Sequence, residues 1–412
     1  MAALHIIKQE IKDYHPVVKV LMLLVGAGAI TAAARFIFGL GATTNLSDTY
    51  PWGLWISFDV VTSVPLAAGA FVLGAIVHCF HIKKLEPLVR PAILTGFLGY
   101  SLVCVGLLLD LGQPHRAWHI FAYPNLHSPM FEVALCVMAY TLVATLEFLP
   151  AVCEKFGFHV PLRMLRNIEL PLIVLGASIA TLHQSSIGTF FLIAADKLHN
   201  LWYNPMLPLL FWISAVFCGL CIIIIEAVMV HRHLGQPKET ELLATLTRII
   251  PWLLGIYLVL KIYALLFLSA KPLFDRPGHT MLFALEMIAG IIVPLILFLQ
   301  KQARTDSVLQ FRAAGLVVFF GLVLNRFNVS MFGMIQKNAQ VYFPSIIESV
   351  VTIGIIAAHI LFFVLIARYF PIFEHHPEEV DYGIPDHFHP VKKLVATESG
   401  AVPGVHPPPQ TS

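Results

Sequence analysis

The stretch LPLLFWISAVFCGLCIIIIEAVMV, residues 207–230, has polar or charged side chains only at Ser214 and Glu226. A helix of about 20 apolar residues is long enough to cross the ~30 Å hydrocarbon core of a bilayer. The stretch does not alternate between polar and apolar residues as the strands of a membrane barrel do. Because backbone groups in lipid must be hydrogen-bonded internally, it predicts a membrane-spanning helix.

The rest of the chain has the same character. It is 412 residues long, 58% hydrophobic and 12% charged, with a mean hydropathy of +0.80, whereas soluble domains carry about 25% charged residues. Breaks rich in proline, glycine and charge separate ten apolar runs. These predicted spans are 18–40, 54–80, 91–111, 129–152, 169–190, 206–231, 244–269, 279–301, 311–334 and 344–373.

The fold class that follows is an all-α integral membrane protein with ten transmembrane helices. Residues 1–17 form a polar N-terminus, 18–373 the membrane domain, and 374–412 a tail rich in proline and histidine that we expect to be extended or disordered.

The distribution of basic residues predicts the orientation of the chain. Of the 26 lysines and arginines, 18 fall in the N-terminus, the loops after even-numbered spans and the tail; five fall in the other loops and three within spans. The positive-inside rule therefore predicts that both termini are cytoplasmic.

Composition also argues against two other kinds of site. The net charge of +2, with no basic patch interleaved with aromatic residues, gives no sign of a nucleic-acid partner. Cys218 and Cys221 have the spacing of a redox or metal motif, but they lie in an apolar run without a second pair. We expect all six cysteines to be core thiols and predict no metal site.

The most unusual segment lies in the fifth span, where His183, Gln184, Ser185 and Ser186 are consecutive. At 100° per residue, four successive side chains cover nearly the whole circumference of a helix. His183 would lie roughly 20 Å along the crossing, too deep to reach the surface easily. We therefore expect other helices or a polar cavity to enclose this turn; the serines could equally serve only to pack helices.

Other ionisable or phenolic residues within the spans fall mostly toward the non-cytoplasmic side, with Glu226 toward the cytoplasmic end. Such residues in a membrane usually mark pathways or sites. The alternatives are that Asp59, Asp110 and Glu348 are end residues that cap helices, and that Lys261 and Arg326 only neutralise neighbouring carboxylates. The set is Asp59, Tyr100, Asp110, Glu132, His183, Glu226, Lys261, Glu286, Arg326 and Glu348.

A histidine, a tyrosine and several carboxylates beside an apolar region suit a quinone. Its two-electron reduction or oxidation moves two protons, and its carbonyl oxygens need hydrogen-bond donors. A b-type haem would need two histidines on facing helices at similar depth, and His78, His183 and His359 are poorly matched in depth. We therefore predict that a partner supplies the redox centres and that this chain binds no haem or iron–sulfur cluster.

Several segments, in order along the chain, carry a resemblance to a known family. They are FGLGATTNLSDTYPWGLWISFD, LVRPAILTGFLGYSL, SPMFEVALCV, LEFLPAV, TLHQSSIG, KLHNLWY, MLPLLF and YFPSIIES. Taken together they resemble the NrfD/polysulfide-reductase (PsrC-like) family of integral membrane subunits, most closely the ten-span branch that includes HybB.

The resemblance implies two four-helix bundles, from spans 2–5 and 6–9, with two flanking helices, in a bacterial or archaeal cytoplasmic membrane. It implies a menaquinone or ubiquinone site near the periplasmic face and a periplasmic ferredoxin-like iron–sulfur subunit as partner. That partner would connect to a catalytic subunit: a hydrogenase, a multihaem cytochrome or a molybdopterin oxidoreductase.

The same resemblance implies quinone-site and proton-path residues, carried over by motif: Asp59, Tyr100, Glu132, His183 and Glu226. We expect His183, Tyr100, Glu132 and Asp59 to act in quinone chemistry. We expect His183, Tyr100, Glu132 and Gln184 to contact the quinone. The predicted proton path consists of Glu226, Asp110, Arg326 and Glu348.

Two other functions fit the sequence. A proton-coupled secondary transporter would use the same buried charges as a substrate site. A structural anchor would use them only to pack helices.

Overall fold

The computed structural model describes residues 16–47, 50, 52–193, 197–235, 239–268, 274–334 and 342–373. The predicted tail, 374–412, and all but the last two residues of the predicted N-terminus lie outside these ranges.

Ten helices in the described ranges are long and apolar enough to cross a membrane, as the sequence predicts. We number them in chain order: α1 Pro16–Phe38, α2 Trp55–Cys79, α3 Lys83–Asp110, α4 Pro129–Phe156, α5 Glu169–Ile193, α6 Leu207–Leu234, α7 Thr240–Leu268, α8 Pro277–Leu299, α9 Ser307–Phe332 and α10 Ile346–Tyr369. The described β pairing is limited to two isolated bridges, Ser47 with Tyr50 and Leu198 with Met334.

Local sequence explains where these helices begin and end. Proline opens α4 at Pro129 and α8 at Pro277, where its missing N–H needs no helical partner. Gly157 and Gly235 follow α4 and α6 with φ of 71° and 66°, a left-handed conformation that glycine adopts without strain. The ends differ from the predicted ones by a few residues, and most at α3, which is extended backward by a 3₁₀ turn, Lys83–Leu88.

The order of helices along the chain defines two ends of the bundle. We call the end where α1 begins the near end, which the charge distribution predicts to be cytoplasmic, and the opposite end the far end. Odd-numbered helices run from near to far and even-numbered helices run back.

Neighbouring helices pack in two rings. In the first, α2 contacts α3, α3 contacts α4, α4 contacts α5 and α5 contacts α2; in the second, α6, α7, α8 and α9 contact one another in the same cyclic way. The rings meet where α6 packs on α2 and α5, and α10 lies outside both rings and packs on α3 of the first. The grouping into two independent four-helix bundles stays a prediction.

Glycine permits the closest of these helix contacts. A Cβ added at Gly290 of α8 would lie 2.3 Å from the backbone nitrogen of Gly321 in α9. A Cβ added at Gly219 of α6 would lie 2.7 Å from the backbone nitrogen of Gly69 in α2. At both crossings two backbones touch, and no larger residue fits without moving a helix.

Candidate functional site

Tyr100 of α3 and His183 of α5 form a hydrogen-bonded pair between two helices of the first ring. The Tyr100 hydroxyl lies 3.3 Å from His183 Nδ1, and both side chains are fully buried. The sequence predicted both residues for the site, and the fold brings them into contact although 83 positions separate them.

This pair leaves a hydrogen-bond donor unused. If the tyrosine donates to Nδ1, the neutral imidazole carries its proton on Nε2, which has no partner among the described residues. If His183 instead donates from Nδ1, the phenol keeps its own O–H free. In either tautomer one buried donor is available to an added acceptor.

Two further side chains place unsatisfied polar atoms in the same region. The Tyr140 ring of α4 packs 4.1 Å from the Tyr100 ring, centroid to centroid, and its hydroxyl has no partner in the described part of the chain. Gln184, beside His183 on α5, is buried, and its amide oxygen and nitrogen are both unbonded to described residues. Buried polar atoms are normally hydrogen-bonded, so several orphans in one region indicate a place for water or a polar ligand.

The two serines of the same turn have local partners. Ser185 Oγ and Ser186 Oγ both donate to the backbone oxygen of Leu182, at 2.9 and 2.8 Å. His183, Gln184 and Ser186 are buried and Ser185 is half-buried. The helices therefore enclose most of this turn, as helical geometry predicted, and both serines bond their own helix.

Asp59 lies on the far side of the Tyr100–His183 pair. It occupies a π-helical turn, Trp55–Val60, at the start of α2, and it is 1% exposed with both carboxylate oxygens unpartnered among the described residues. A Cβ added at Gly106 would lie 2.8 Å from the Asp59 Cβ. Gly106 is six residues past Tyr100 on α3, so Asp59 is about 9 Å farther along the helix axis.

Asp110 ends α3 and is associated with Arg35 of α1. The Arg35 guanidinium donates to the backbone oxygens of Leu109 and Leu111, where a cation is favoured by the helix dipole. Arg35 also acts electrostatically on Asp110, whose Oδ1 is buried without a described partner. No role for Arg35 was predicted from the sequence; in the structure it secures the far end of α3.

Glu132 is half-buried in the first turn of α4. It precedes Tyr140 by eight residues, about 12 Å along the axis, and shares a helix face with Cys136 and Tyr140 because they follow at intervals of four. The structure thus places Glu132 toward the far end of the cluster rather than beside His183.

Glu348 closes the first turn of α10. Its Oε2 accepts from the backbone N–H groups of Asn45 at 3.0 Å and Ser345 at 2.8 Å, and Ser345 completes a capping box with it. The Tyr342 hydroxyl donates to Oε1, and burial together with this bond raises the pKa of Tyr342. Because both of its carboxylate oxygens accept hydrogen bonds, Glu348 fits the role of a helix cap better than that of a proton carrier.

Glu226 of α6 lies toward the near end of the bundle. Its Oε1 accepts from the Thr95 hydroxyl of α3 at 2.7 Å. It also lines a cavity of about 30 Å³ bounded by Pro87, Glu239 and Phe373, which lie at near ends of helices. That volume exceeds what one water molecule needs. Thr95 precedes Tyr100 by five residues, so Glu226 lies about 7.5 Å from the Tyr100 level along α3.

Arg326 and Lys261 belong to a separate cluster within the second ring. Glu286 of α8 accepts from the side chains of Trp202, Asn325 and Asn328, each at 2.8 Å, and Lys261 Nζ lies 3.6 Å from its Oε1. The Arg326 guanidinium donates to Asn325 Oδ1 and to Ser214 Oγ at 2.8 Å and lies over the Phe211 ring. This arrangement matches the alternative reading in which both cations neutralise buried carboxylate charge.

A third group closes the far end of the second ring. His199 Nε2 bonds Asp275 Oδ1 at 2.8 Å, its Nδ1 accepts from the Leu201 backbone N–H at 3.3 Å, and its ring packs on that of His279, with centroids 4.6 Å apart. The hydrogen bond from His199 lowers the pKa of Asp275. Because the two rings touch and both nitrogens of His199 are bonded, this pair cannot hold a haem iron between them.

Sequence reasoning missed two residues of the first ring. Tyr140 could have been found from its four-residue spacing after Glu132 and Cys136 on one helix face. Glu147 lies on that face about two turns after Tyr140. Its Oε1 would be 3.6 Å from a Cβ added at Gly176 of α5, and Tyr140 Cε2 would be equally close to that Cβ. No local signal marks Glu147, because only the packing of α4 on α5 shows that it lies below Tyr140.

Taken together, the first ring offers a donor at Tyr100 and His183, with carboxylates toward both ends. Such an arrangement can hydrogen-bond a carbonyl oxygen and exchange protons with it. Within the described residues, no three histidine, cysteine, aspartate or glutamate side chains are grouped to hold a metal ion.

Comparison with known proteins gives a consistent result. Residues 42–338 match the family described as Polysulphide reductase, NrfD. The chain is 33% identical, over 89% of its length and 93% of the relative's, to the probable Ni/Fe-hydrogenase 2 b-type cytochrome subunit of Escherichia coli K12. It is 28% identical to the menaquinone reductase integral membrane subunit of Nitratidesulfovibrio vulgaris Hildenborough, covering 86% and 90% of the two chains.

A more distant relative is the Hdr-like menaquinol oxidoreductase integral membrane subunit of Archaeoglobus fulgidus, 21% identical over 85% of this chain and 93% of its own. Two of these three relatives are thus named as membrane subunits of quinone-reactive complexes. The family match covers more than half of the chain, and the chain therefore belongs to the NrfD/polysulfide reductase family of integral membrane proteins.

Proposed function

We propose that this protein is the quinone-binding membrane subunit of a respiratory oxidoreductase complex. It exchanges electrons between a periplasmic iron–sulfur subunit and the menaquinone or ubiquinone pool, with accompanying proton transfer. The observation that carries the proposal is the buried Tyr100–His183 pair, which leaves one donor free amid the unpartnered atoms of Tyr140 and Gln184.

The residues present suit a quinone head group. A quinone carbonyl is an acceptor that needs a donor, and the pair supplies one from either Nε2 or the phenol. The bound quinone would supply the two-electron chemistry, while this chain orients the head group and holds its protons. Asp59, with both oxygens unpartnered, and Glu132 are the carboxylates on the far side that exchange those protons.

Protons reach this region from the near end in our proposal. The cavity beside Glu226 lies among near-end residues, and the Thr95 bond joins Glu226 to α3 below Tyr100. If the near end is cytoplasmic, as predicted, quinone turnover moves positive charge across the membrane. Asp110, Arg326 and Glu348 are less suited to this path, since each is associated with a cap or with the second cluster.

The relatives' names also bear on the cofactor and the partners. The Escherichia coli relative is named a b-type cytochrome subunit. In our proposal the free donor of the Tyr100–His183 pair serves a quinone carbonyl rather than haem, and the His199 and His279 rings are in contact, with no space for an iron between them. We keep the proposal that this chain binds quinone and no haem. The partner that supplies electrons is an iron–sulfur subunit joined to a catalytic subunit such as a hydrogenase.

The test replaces His183 with glutamine in the purified native complex. We expect quinone-coupled turnover to fall by a factor of about 10² to 10⁴, the range for loss of a positioned proton-transfer group, while the subunits still co-purify. S185A is the matched control on the same turn and should keep wild-type turnover. Wild-type quinone turnover in H183Q would refute the assignment.

The same preparation distinguishes the transporter alternative. A transporter works without redox subunits, so the isolated chain in vesicles would move substrate or protons by itself. Our proposal requires that proton movement stop when the partner subunits are removed and resume when they are restored.

A further inference from the structure

A groove runs along the surface of α9, outside the polar clusters. It has a volume of about 760 Å³ and is lined by Phe311, Arg312, Gly315, Phe319, Phe327 and Phe332, among others; we call it the α9 groove. From Phe311 to Phe332 the helix rises about 30 Å, the thickness of the hydrocarbon core.

The shape of the α9 groove comes from the helix itself. Gly315 leaves open space, because a Cβ added there would meet nothing within 4 Å. The π-helical segment Val317–Val323 follows, and its wider turn shifts the side chains after it around the helix. Phe319, within that segment, is 67% exposed, and the walls are almost entirely apolar.

Positive charge is concentrated at the near end of the groove. Arg312 is exposed and lines the groove directly. Arg232 at the end of α6 is also exposed, and its guanidinium lies 5.7 Å from the centroid of the Phe311 ring. The ion pairs found among the described residues include neither arginine.

We propose that the α9 groove binds an anionic glycerophospholipid of the near leaflet. Its phosphate lies between Arg232 and Arg312, and an acyl chain lies along the phenylalanines. Guanidinium groups bind phosphate in a forked geometry, and basic sites at the cytoplasmic ends of membrane helices favour anionic head groups. An apolar tail alone would not explain why two arginines with no ion-pair partner among the described residues flank the entrance. The proposal goes beyond the quinone function and does not depend on it.

The experiment measures lipid retained by the purified native complex. Wild type and variants are equilibrated with equal amounts of palmitoyl-oleoyl phosphatidylglycerol and phosphatidylcholine, washed, and analysed by mass spectrometry. We expect wild type to retain phosphatidylglycerol preferentially. In the R232Q/R312Q double variant, the ratio of retained phosphatidylglycerol to phosphatidylcholine should fall by about 30-fold. Each basic residue near an anionic lipid strengthens its binding by roughly fivefold.

Matched controls separate the site from general charge and stability effects. R163Q/R248Q removes two other exposed near-end arginines and should retain phosphatidylglycerol as wild type does. G315L fills the groove, whereas G255L adds the same side chain at an equally open glycine of α7. Only G315L should lower retention of the acyl chains, and thermal melting checks that both variants are folded.

Several outcomes would overturn the proposal. They are equal retention of the two lipids by wild type, equal loss in the two arginine double variants, and no difference between G315L and G255L. Recovery of an isoprenoid quinone in place of phospholipid, or a change of oligomeric state in G315L, would assign the groove to another occupant.

Discussion

The two rings of helices differ in how far their buried polar groups are hydrogen-bonded. In the first ring, Asp59, Tyr140, His183 and Gln184 all keep polar atoms with no partner among the described residues. In the second ring, Glu286 accepts three side-chain hydrogen bonds and faces Lys261, and only Arg326 Nε and Asn328 Oδ1 lack described partners in that cluster.

The difference separates a site from a structural support. An unsatisfied buried polar group costs free energy, so a protein retains several of them together mainly where a ligand or proton exchange requires them. A charged cluster whose carboxylate is satisfied by several hydrogen bonds instead fixes the positions of the helices that contribute to it. Buried charged residues in the two rings can therefore have different roles, and hydrogen bonding distinguishes them.

The largest effect that tests this contrast is expected at Asp59. D59N keeps the shape of the side chain but cannot exchange a proton at working pH. We expect quinone turnover to fall by about 10²- to 10⁴-fold without a drop in melting temperature, because no hydrogen bond to a described residue is lost. A D59N complex that turns over normally would remove Asp59 from the site.

A substitution at Glu286 should instead lower stability, because this carboxylate is bonded within the second cluster. E286A leaves Lys261 and Arg326 buried without their carboxylate, and removing one partner of a buried ion pair costs about 3–5 kcal/mol. The expected result is a lower melting temperature and poor assembly of the complex, with E286Q intermediate because its amide oxygen still accepts hydrogen bonds. Normal stability in E286A would show that the second cluster does not support the fold.

Gly106 provides a smaller test of where Asp59 lies. In G106A the new methyl carbon would come within 2.8 Å of the Asp59 Cβ, and overpacking of this kind costs about 1–3 kcal/mol. We expect a modest fall in melting temperature together with reduced turnover, since Asp59 must shift. G255A, at a glycine with open space, is the control and should change neither property.

The smallest effect concerns pH and the far end of the second ring. The His199 bond lowers the pKa of Asp275 in the folded protein, so its contribution to stability is present above the unfolded carboxyl pKa of about 3.9 and is lost as pH falls through the lower folded value. The melting-temperature difference between wild type and D275N should therefore shrink between pH 6 and pH 3. Arg276 and His279 face the same group and are unchanged in both proteins. A pH-independent difference would exclude this linkage.

Much of the fold could be read from the sequence. The stretch 207–230 and nine similar runs predict ten spans, because backbone hydrogen bonding in lipid leaves a helix as the main solution for each. The His183–Ser186 turn had to be enclosed because its four polar side chains cover nearly the whole circumference of the helix. Tyr100 and His183 were both identified as site residues from their types and depth.

Other features of the site depended on which helices meet. Glu147 is unremarkable along α4 and gains significance only where that helix packs on α5. Tyr140 shares a helix face with Glu132, but only the packing of α4 on α3 sets its ring against that of Tyr100. Glu348 and Arg326 looked like path residues in the sequence, but their partners, Ser345 and Tyr342 for one and Asn325 and Ser214 for the other, associate them with a cap and a support.

The sequence by itself determined that this chain lies in a membrane as helices and that certain polar residues are buried there. Hydropathy and helical periodicity are local properties, so they are visible without knowledge of the contacts. Only the tertiary structure decided which buried groups are bonded and which are free, because hydrogen-bond partners come from helices far apart in the chain. That distinction, rather than the presence of charge, sets the first ring apart as the candidate quinone site.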